Sequence, residues 1–174
     1  MKETHEHAVK RGKKSKASGS LFELRVRKDL EERWIVSKWP NNVELFCELE
    51  GAENQGGCKN VFKGKLIPAK TKWMFTKQGP RPAGLGSGFP DFIAFRPKVT
   101  YRMHENGIDS VDNKEFDYEV IGVEAKSNGY LDPAERKKCE WLLKNKVFSK
   151  ILIAKKTKVK NKILVEYTEF DNNI

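Results

Sequence analysis

Apolar residues recur at every fourth position in one early segment of the chain. They are Phe22, Val26 and Leu30. This spacing puts all three side chains on one face of an α-helix. Ser20 and Glu23, at the start of this series, are three residues apart, which is the spacing of a capping box. We therefore predict an amphipathic helix that begins at Ser20 and ends near Arg33.

Short β-rich or apolar runs predict the strands. They cover residues 34–39, 43–49, 61–67, 91–96, 118–125, 150–154 and 163–167. The run 118–125 leaves little polar surface, so we predict a central strand there. Pro97 limits the strand before it, and the last run predicts an antiparallel edge strand.

A second helix is marked by its first residues. Asp132 fits the N-cap position, Pro133 the first helical position and Glu135 the third, and the pattern continues to about Asn145. This helix joins two strands that both read as buried. The order strand, helix, strand is typical of a crossover between parallel strands, so we predict an α/β fold with a mixed β-sheet flanked by helices.

Other segments lack apolar periodicity. Residues 1–17 predict a basic flexible arm, followed by a single domain over 18–174. Within that domain, 43–88 predicts a β-rich insertion whose last part, 79–88, is a flexible Gly/Pro connector. The polar segment 98–117 predicts a loop or hairpin tip, and a Lys-rich turn precedes the final strand.

Composition indicates the kind of partner. The 174 residues carry a net charge of +10, and such an excess of Lys and Arg favours a polyanionic partner because neutralised phosphates release counterions. No apolar run approaches the roughly 18 residues that span a bilayer. The segment Met1–Lys16 is polar and basic, without a hydrophobic stretch for secretion. We therefore predict a cytoplasmic protein that does not bind membranes.

The cysteines do not predict a zinc site. Cys47, Cys58 and Cys139 are far apart in sequence, and the chain has only three His residues. A bridge between Cys47 and Cys58 and three ordinary thiols both remain open.

Four ionisable residues occupy positions that folding alone does not favour. They are Glu23, Asp91, Glu124 and Lys126. Glu23 falls in register with Val26 and Leu30, on the inward side of the first helix. Asp91 opens an apolar strand, whereas Glu124 and Lys126 are two residues apart and so share one strand face. Buried charges are costly unless they are paired or bind a metal, and carboxylate oxygens suit Mg²⁺ or Mn²⁺. The pattern favours a metal-dependent phosphodiester hydrolase over three separate structural roles: Glu23 closing a capping box, Asp91 capping a turn, and a Glu124–Lys126 surface pair.

These residues also carry a family resemblance. The segment Phe89-Pro90-Asp91 followed by Val123-Glu124-Ala125-Lys126 resembles the signature of the PD-(D/E)XK nuclease superfamily. Within it, the chain is most similar to archaeal Holliday-junction resolvases and related nucleases of archaea, their viruses and plasmids. The resemblance covers roughly residues 20–155 and implies a restriction-endonuclease-like fold.

The resemblance implies a role for each residue of the motif. Asp91, Glu124 and the backbone carbonyl of Ala125 are implied ligands of Mg²⁺, for which Mn²⁺ can substitute. Glu23 is an implied ligand directly or through water, and Lys126 is the implied cation that steadies the attacking water. Paired cuts require two active sites, so the resolvase form of the prediction implies a homodimer acting on branched DNA.

The substrate stays open at this stage. The chain is longer than those resolvases before Asp91 and again between Asp91 and Glu124. A nuclease for flaps, nicks or single strands is one alternative. A non-catalytic DNA-binding module with a nuclease-like fold is another.

Further residues are candidates for DNA contact. They are Lys13, Lys14, Lys63, Lys65, Lys70, Lys72, Ser127, Asn128 and Tyr130. The lysines of the insertion alternate with aromatic residues, which is typical of a surface that binds a phosphate backbone and equally of the two faces of an antiparallel ribbon. Ordinary turn chemistry explains Ser127 and Asn128 as well as a phosphate contact does.

Overall fold

A computed structural model describes residues 5–50, 59–76, 78–85, 88–100, 115–160 and 162–171 of the chain. Its elements are, in order, α1 (His5–Glu31), β1 (Ile35–Lys38), β2 (Asn41–Glu50), β3 (Lys59–Pro68), β4 (Thr71–Thr76), β5 (Gly79–Leu85), β6 (Phe92–Thr100), β7 (Glu115–Ala125), α2 (Pro133–Lys144), β8 (Lys150–Val159) and β9 (Lys162–Glu169). In this part of the chain, no helix is both long enough and apolar enough to cross a membrane.

The main sheet has five strands in the order β1-β6-β7-β8-β9. β7 and β8 are parallel, and every other neighbouring pair is antiparallel. α2 connects the parallel pair. The predicted mixed α/β sheet, its central strand and its antiparallel last strand at one edge are therefore confirmed.

Each face of this sheet is covered by one helix. Phe22, Val26 and Leu30 of α1 are buried against Ile121 and Val123 of β7. On the opposite face, Cys139 and Leu142 of α2 are buried in one cluster with Phe148, Ile151 and Ile153. Side chains alternate between the two faces of a strand, so a residue's parity along β7 decides which helix it meets.

The start of α1 differs from the prediction. The helix begins at His5 rather than Ser20 and ends at Glu31 rather than near Arg33. Ser20 is exposed within the helix, so it is not an N-cap. Lys, Arg, Glu and Ala have high helix propensity, which lets the helix extend through a segment that has no apolar face. The predicted flexible arm is thus helical in its backbone from His5, and its side chains up to Lys16 lie outside the described residues.

Two proline-containing segments that were predicted to be irregular or to end a strand are strands in the structure. Part of the Gly/Pro connector forms β5, whose Pro80 and Pro82 lie opposite Phe75 and Trp73 of β4. These prolines are two residues apart, so both missing N–H groups lie on the same, outer edge of a two-stranded hairpin, where they cost no ladder bond. β6 likewise continues through Pro97. Its pairing with β1 ends at Ile35 and Phe95, so Pro97 has no β1 residue opposite it to which an N–H would have to donate.

The two remaining corrections concern strand ends. The segment 98–117, predicted as a loop or hairpin tip, joins the antiparallel strands β6 and β7, but these pair as far as Thr100 and Glu115, so both ends of the segment are strand. The predicted Lys-rich turn belongs to β8 and β9, which pair as far as Val159 and Lys162.

The insertion consists of two hairpins, β2–β3 and β4–β5. β3 packs closely against α2. A Cβ atom at Gly64 of β3 would lie 2.7 Å from the ring of Trp141 in α2. Cys58 and the side chain of Cys47 lie outside the described residues, so the structure tests neither of the two alternatives, a bridge or ordinary thiols. Cys139 is a buried free thiol.

Candidate active site

Asp91 and Glu124 lie side by side at one end of the sheet. The Asp91 backbone N–H donates to Glu124 Oε2 at 3.0 Å, and the Ala125 backbone N–H donates to Asp91 Oδ2 at 3.1 Å. Each carboxylate therefore accepts a hydrogen bond from the other's chain segment. Asp91 and Glu124 are 9% and 5% exposed and are the buried charged residues of the described chain. The structure thus brings these two predicted site residues together.

Glycines let the chain bring Asp91 to this position. A Cβ atom at Gly122 would lie 2.8 Å from Pro90 Cγ, so only a glycine in β7 leaves room for Pro90. A Cβ atom at Gly88 would lie 2.2 Å from the carbonyl oxygens of Trp39 and Asn41. The Phe89–Pro90 peptide bond is cis. The segment before β6 is thus packed tightly on both sides, which fixes the start of the strand.

Burial raises the pKa of both carboxyl groups. Desolvation and the charge of Asp91 raise the pKa of Glu124 to about 8, although Lys126 opposes the shift. Desolvation also raises the pKa of Asp91, against the hydrogen bond from Ala125. Two acidic groups that are costly to ionise together are a suitable place for a cation, since a cation stabilises both charges.

Lys126 lies on the same face of the sheet as Glu124, as predicted. Its Nζ is 3.3 Å from Glu124 Oε1 and 2.5 Å from Glu135 Oε1. Desolvation alone would lower the pKa of Lys126, but the hydrogen bonds and charges of Glu135 and Glu124 outweigh it and hold the pKa above its usual value. Lys126 is therefore an ammonium fixed between two carboxylates.

Glu135 is the site residue that sequence reasoning did not identify. Its Oε2 accepts the Asp132 backbone N–H at 3.0 Å, and the Asp132 side chain accepts the Glu135 N–H at 2.8 Å. This capping box at the start of α2 was predicted and is confirmed. The second oxygen of Glu135 is thereby directed at Lys126. The sequence did offer one signal for Glu135. The link between the end of β7 and the start of α2 is short, so the first residues of α2 must lie close to Lys126.

Glu23 approaches the site from the opposite face of the sheet. It lies beside the buried row of α1 rather than within it, with its side chain 30% exposed, and it accepts a hydrogen bond from Lys38 Nζ at 3.0 Å. The prediction that Glu23 faces inward is thus only partly correct. Its charge nevertheless acts on Asp91, whose pKa it raises.

The carboxylate oxygens of Asp91 and Glu124 are the candidate donors for Mg²⁺ at this site. Among the described residues, no three His, Cys, Asp or Glu side chains are arranged to hold a metal ion. Glu23 is paired with Lys38, and Glu135 with Lys126. Mg²⁺ is commonly bound by one or two carboxylates together with water and substrate phosphate oxygens. The adjacent Asp91 and Glu124 fit that mode, with substrate completing the set.

The other predicted ligand and turn residues have mixed outcomes. The Ala125 N–H bonds to Asp91, whereas a ligand role for its carbonyl stays a prediction. Asn128 Oδ1 accepts the Tyr130 N–H at 3.1 Å, which is the ordinary turn chemistry that was the alternative. Ser127 is exposed, and the Tyr130 side chain is 61% exposed beside the site.

The structure describes the side chains of three of the predicted DNA-binding lysines, Lys63, Lys65 and Lys70. Lys65 pairs with Glu44 across the β2–β3 hairpin at 3.1 Å. Lys63 and Lys70 are exposed on the insertion. The side chains of Lys13, Lys14 and Lys72 lie outside the described residues. A DNA contact by any of these lysines stays a prediction.

Comparison of this chain with protein-family models, curated proteins and solved structures found no match. The site itself is a buried pair of carboxyl groups beside an ammonium, at the end of the central strand of a mixed α/β sheet.

Proposed function

We propose that this protein is a metal-dependent endodeoxyribonuclease of the PD-(D/E)XK type. One observation carries the proposal: Glu124 accepts a hydrogen bond from the Asp91 N–H, Asp91 accepts one from the Ala125 N–H, and Lys126 lies 3.3 Å from Glu124. Such a grouping of buried charges is a cost to folding, and a catalytic role accounts for it.

The carboxylates bind the cofactor in this proposal. Asp91 and Glu124 hold Mg²⁺ or Mn²⁺, and the bound ion polarises the scissile phosphate and makes water a stronger nucleophile. Glu23, on the other face, acts on the same centre through its charge or through water. The backbone N–H bonds fix both carboxylates in place before substrate arrives.

Lys126 supplies the positive charge next to the reacting phosphate. Its ammonium stabilises the negative charge that develops on the phosphate oxygens during hydrolysis. Glu135 acts as a positioning residue, since it is tied to the α2 N-terminus and bonds to Lys126 Nζ. The two contacts of the ammonium are therefore set by β7 and α2 together.

DNA is the proposed substrate because of the charge of the chain. A net charge of +10 favours a phosphate polymer around an otherwise acidic centre. Selectivity for branched DNA, with a homodimer that brings two sites to one junction, is the finer form of the proposal and rests on the sequence resemblance.

A cleavage assay tests the proposal. Protein free of host nucleases is incubated with labelled single-stranded, nicked, forked and four-way DNA, with Mg²⁺ or with Mn²⁺. The wild type is expected to cut at least one substrate only when metal is present. Asp91→Asn, Glu124→Gln and Lys126→Gln are each expected to lose cleavage by a factor of about 100 or more, as for other preorganised charge-stabilising groups.

Glu119→Gln is the matched control, because Glu119 pairs with Arg96 and Lys150 away from the site. This variant is expected to cleave like the wild type. Metal-dependent cleavage that survives in Glu124→Gln overturns the assignment of the site. Symmetric cuts confined to four-way DNA support the resolvase form, whereas cuts confined to flaps or nicks contradict it.

A further inference from the structure

The last two strands extend beyond the rest of the sheet at the end where the site lies. β7 stops at Ala125, next to Ala154 of the parallel strand β8. β8 nevertheless continues to Val159 and stays paired with β9. We name this extension, residues 155–159 and 162–166, the lysine ribbon. At about 3.3 Å per residue, it projects roughly 16 Å past the end of β7.

The lysine ribbon begins directly beside the catalytic lysine. The Lys126 N–H donates to the Ala154 carbonyl at 2.9 Å, and the Lys156 N–H donates to the Ser127 carbonyl at 3.2 Å. The ribbon therefore adjoins the end of β7 that carries Glu124 and continues in the direction in which β7 points.

The charge of the ribbon is nearly all positive. The segment 155–166 contains Lys155, Lys156, Lys158, Lys160 and Lys162, against the single carboxylate Glu166. Glu166 is engaged by Lys155 at 3.0 Å and by Thr157 at 2.8 Å. The other four lysines are exposed and form no ion pair with any residue that the structure describes.

Strand alternation puts two of these lysines in a row. Lys156 and Lys158 lie opposite Val165 and Ile163, on the face where Ala154 and Tyr167 meet α1. Glu166 is on the other face, so it neutralises neither of them. The two ammonium groups are attached about 7 Å apart along the strand, a span of about two phosphates at roughly 3.4 Å of axial rise each.

We propose that the lysine ribbon binds the phosphate backbone of the DNA next to the scissile phosphate. This inference rests on the proposed function, since it takes DNA as the ligand. Lys156 and Lys158 lie on the α1 side of the sheet, from which Glu23 approaches the site, whereas Glu124 and Lys126 lie on the α2 side. The like charges of the ribbon repel one another in the free protein, and a phosphate chain relieves that repulsion.

Salt dependence of binding tests this inference. Fluorescence anisotropy with labelled duplex DNA, without divalent ions so that no cleavage occurs, gives the binding constant between about 50 and 200 mM salt. Each neutralised phosphate contributes about 0.9 to the slope of log K against log salt. Lys156→Gln/Lys158→Gln is expected to reduce the size of that slope by about 1.8, whereas Lys156→Arg/Lys158→Arg keeps it.

Lys98→Gln/Lys144→Gln is the matched control. Lys98 is far along β6 from Asp91, and Lys144 ends α2 at the opposite end of the sheet from Lys126; both are exposed. This control is expected to lose the same formal charge and keep the wild-type slope. In the cleavage assay the ribbon variant is expected to raise KM and leave kcat unchanged.

Two outcomes overturn the inference, and they differ from each other. If the wild type binds DNA and the ribbon variant binds with the same affinity and slope, the lysines serve only to keep an exposed strand pair from aggregating. If the wild type shows no salt-dependent DNA binding at all, the proposed function fails together with the ribbon.

Discussion

Glu124 accepts a hydrogen bond from the backbone of Asp91, while Asp91 accepts one from the residue that follows Glu124. This reciprocal contact ties the start of β6 to the end of β7, two segments separated in sequence by more than thirty residues. Cross-bonding of this kind makes the position of each carboxylate depend on the other.

The stability of the metal-free protein is expected to fall as pH rises between about 5 and 8. Burial raises the pKa of Glu124 to about 8, so the folded chain holds a proton that the unfolded chain has already released. The stabilisation is complete below the ordinary pKa of a glutamic acid and is lost as pH passes the folded value. Glu124→Gln cannot titrate and is expected to flatten this slope.

Urea unfolding at several pH values measures that difference. The comparison is between the wild type and Glu124→Gln, because groups such as Glu119 titrate in both proteins. If the two free energies of unfolding change in parallel across this range, Glu124 does not carry the raised pKa.

Glu135→Gln is expected to reduce kcat by about tenfold, a loss of about 1.4 kcal/mol, with KM and stability nearly unchanged. A glutamine at the third helical position can still close the capping box with Asp132, but it no longer offers a charge to Lys126. Single-turnover cleavage kinetics and thermal unfolding give the two readouts.

Two further variants separate positioning from capping. Glu135→Ala loses both contacts and is expected to be less stable as well, by about 1 kcal/mol. Asp132→Asn keeps a good N-cap and leaves Glu135 intact, so its kcat is expected to match the wild type. A fall in kcat that appears only when stability falls argues against the positioning role.

Gly122→Ala is expected to destabilise the protein by about 1–3 kcal/mol and to reduce cleavage. The added Cβ would lie 2.8 Å from Pro90 and 3.1 Å from Phe148, so it pushes the segment that carries Asp91 away from Glu124. Chemical denaturation and the cleavage assay measure the two effects.

Gly19→Ala is the control for the glycine substitution. Gly19 is exposed in α1 with nothing within 4 Å of the added carbon, so alanine there is expected to stabilise the helix slightly. A Gly122→Ala protein that equals the wild type in stability and cleavage contradicts the packing argument.

Strong local signals were enough to predict the centre of the fold from the sequence. The apolar run of β7 indicated the central strand, and Asp132, Pro133 and Glu135 marked the start of α2 correctly. Strand periodicity also predicted that Glu124 and Lys126 share a face. These features depend on neighbours in sequence, which a single chain displays directly.

Features that depend on distant partners were not predictable in this way. Pro80 and Pro82 suggested a loop, but β4 offers a partner whose pairing tolerates them. The Lys-rich segment after Ala154 suggested a turn, and only its pairing with β9 makes it a ribbon. The contact between Glu135 and Lys126 depends in the same way on how α2 docks beside β7.

Calorimetric titration of Mn²⁺ into the metal-free protein, near pH 8, tests the central claim most directly. The account predicts saturable binding that releases protons, because the buried carboxyl groups must ionise to hold the ion. It predicts that Asp91→Asn and Glu124→Gln each lose this binding and that Glu119→Gln keeps it. Binding curves that are the same in Glu124→Gln and in the wild type, or a wild type that binds no metal with or without DNA, would contradict it.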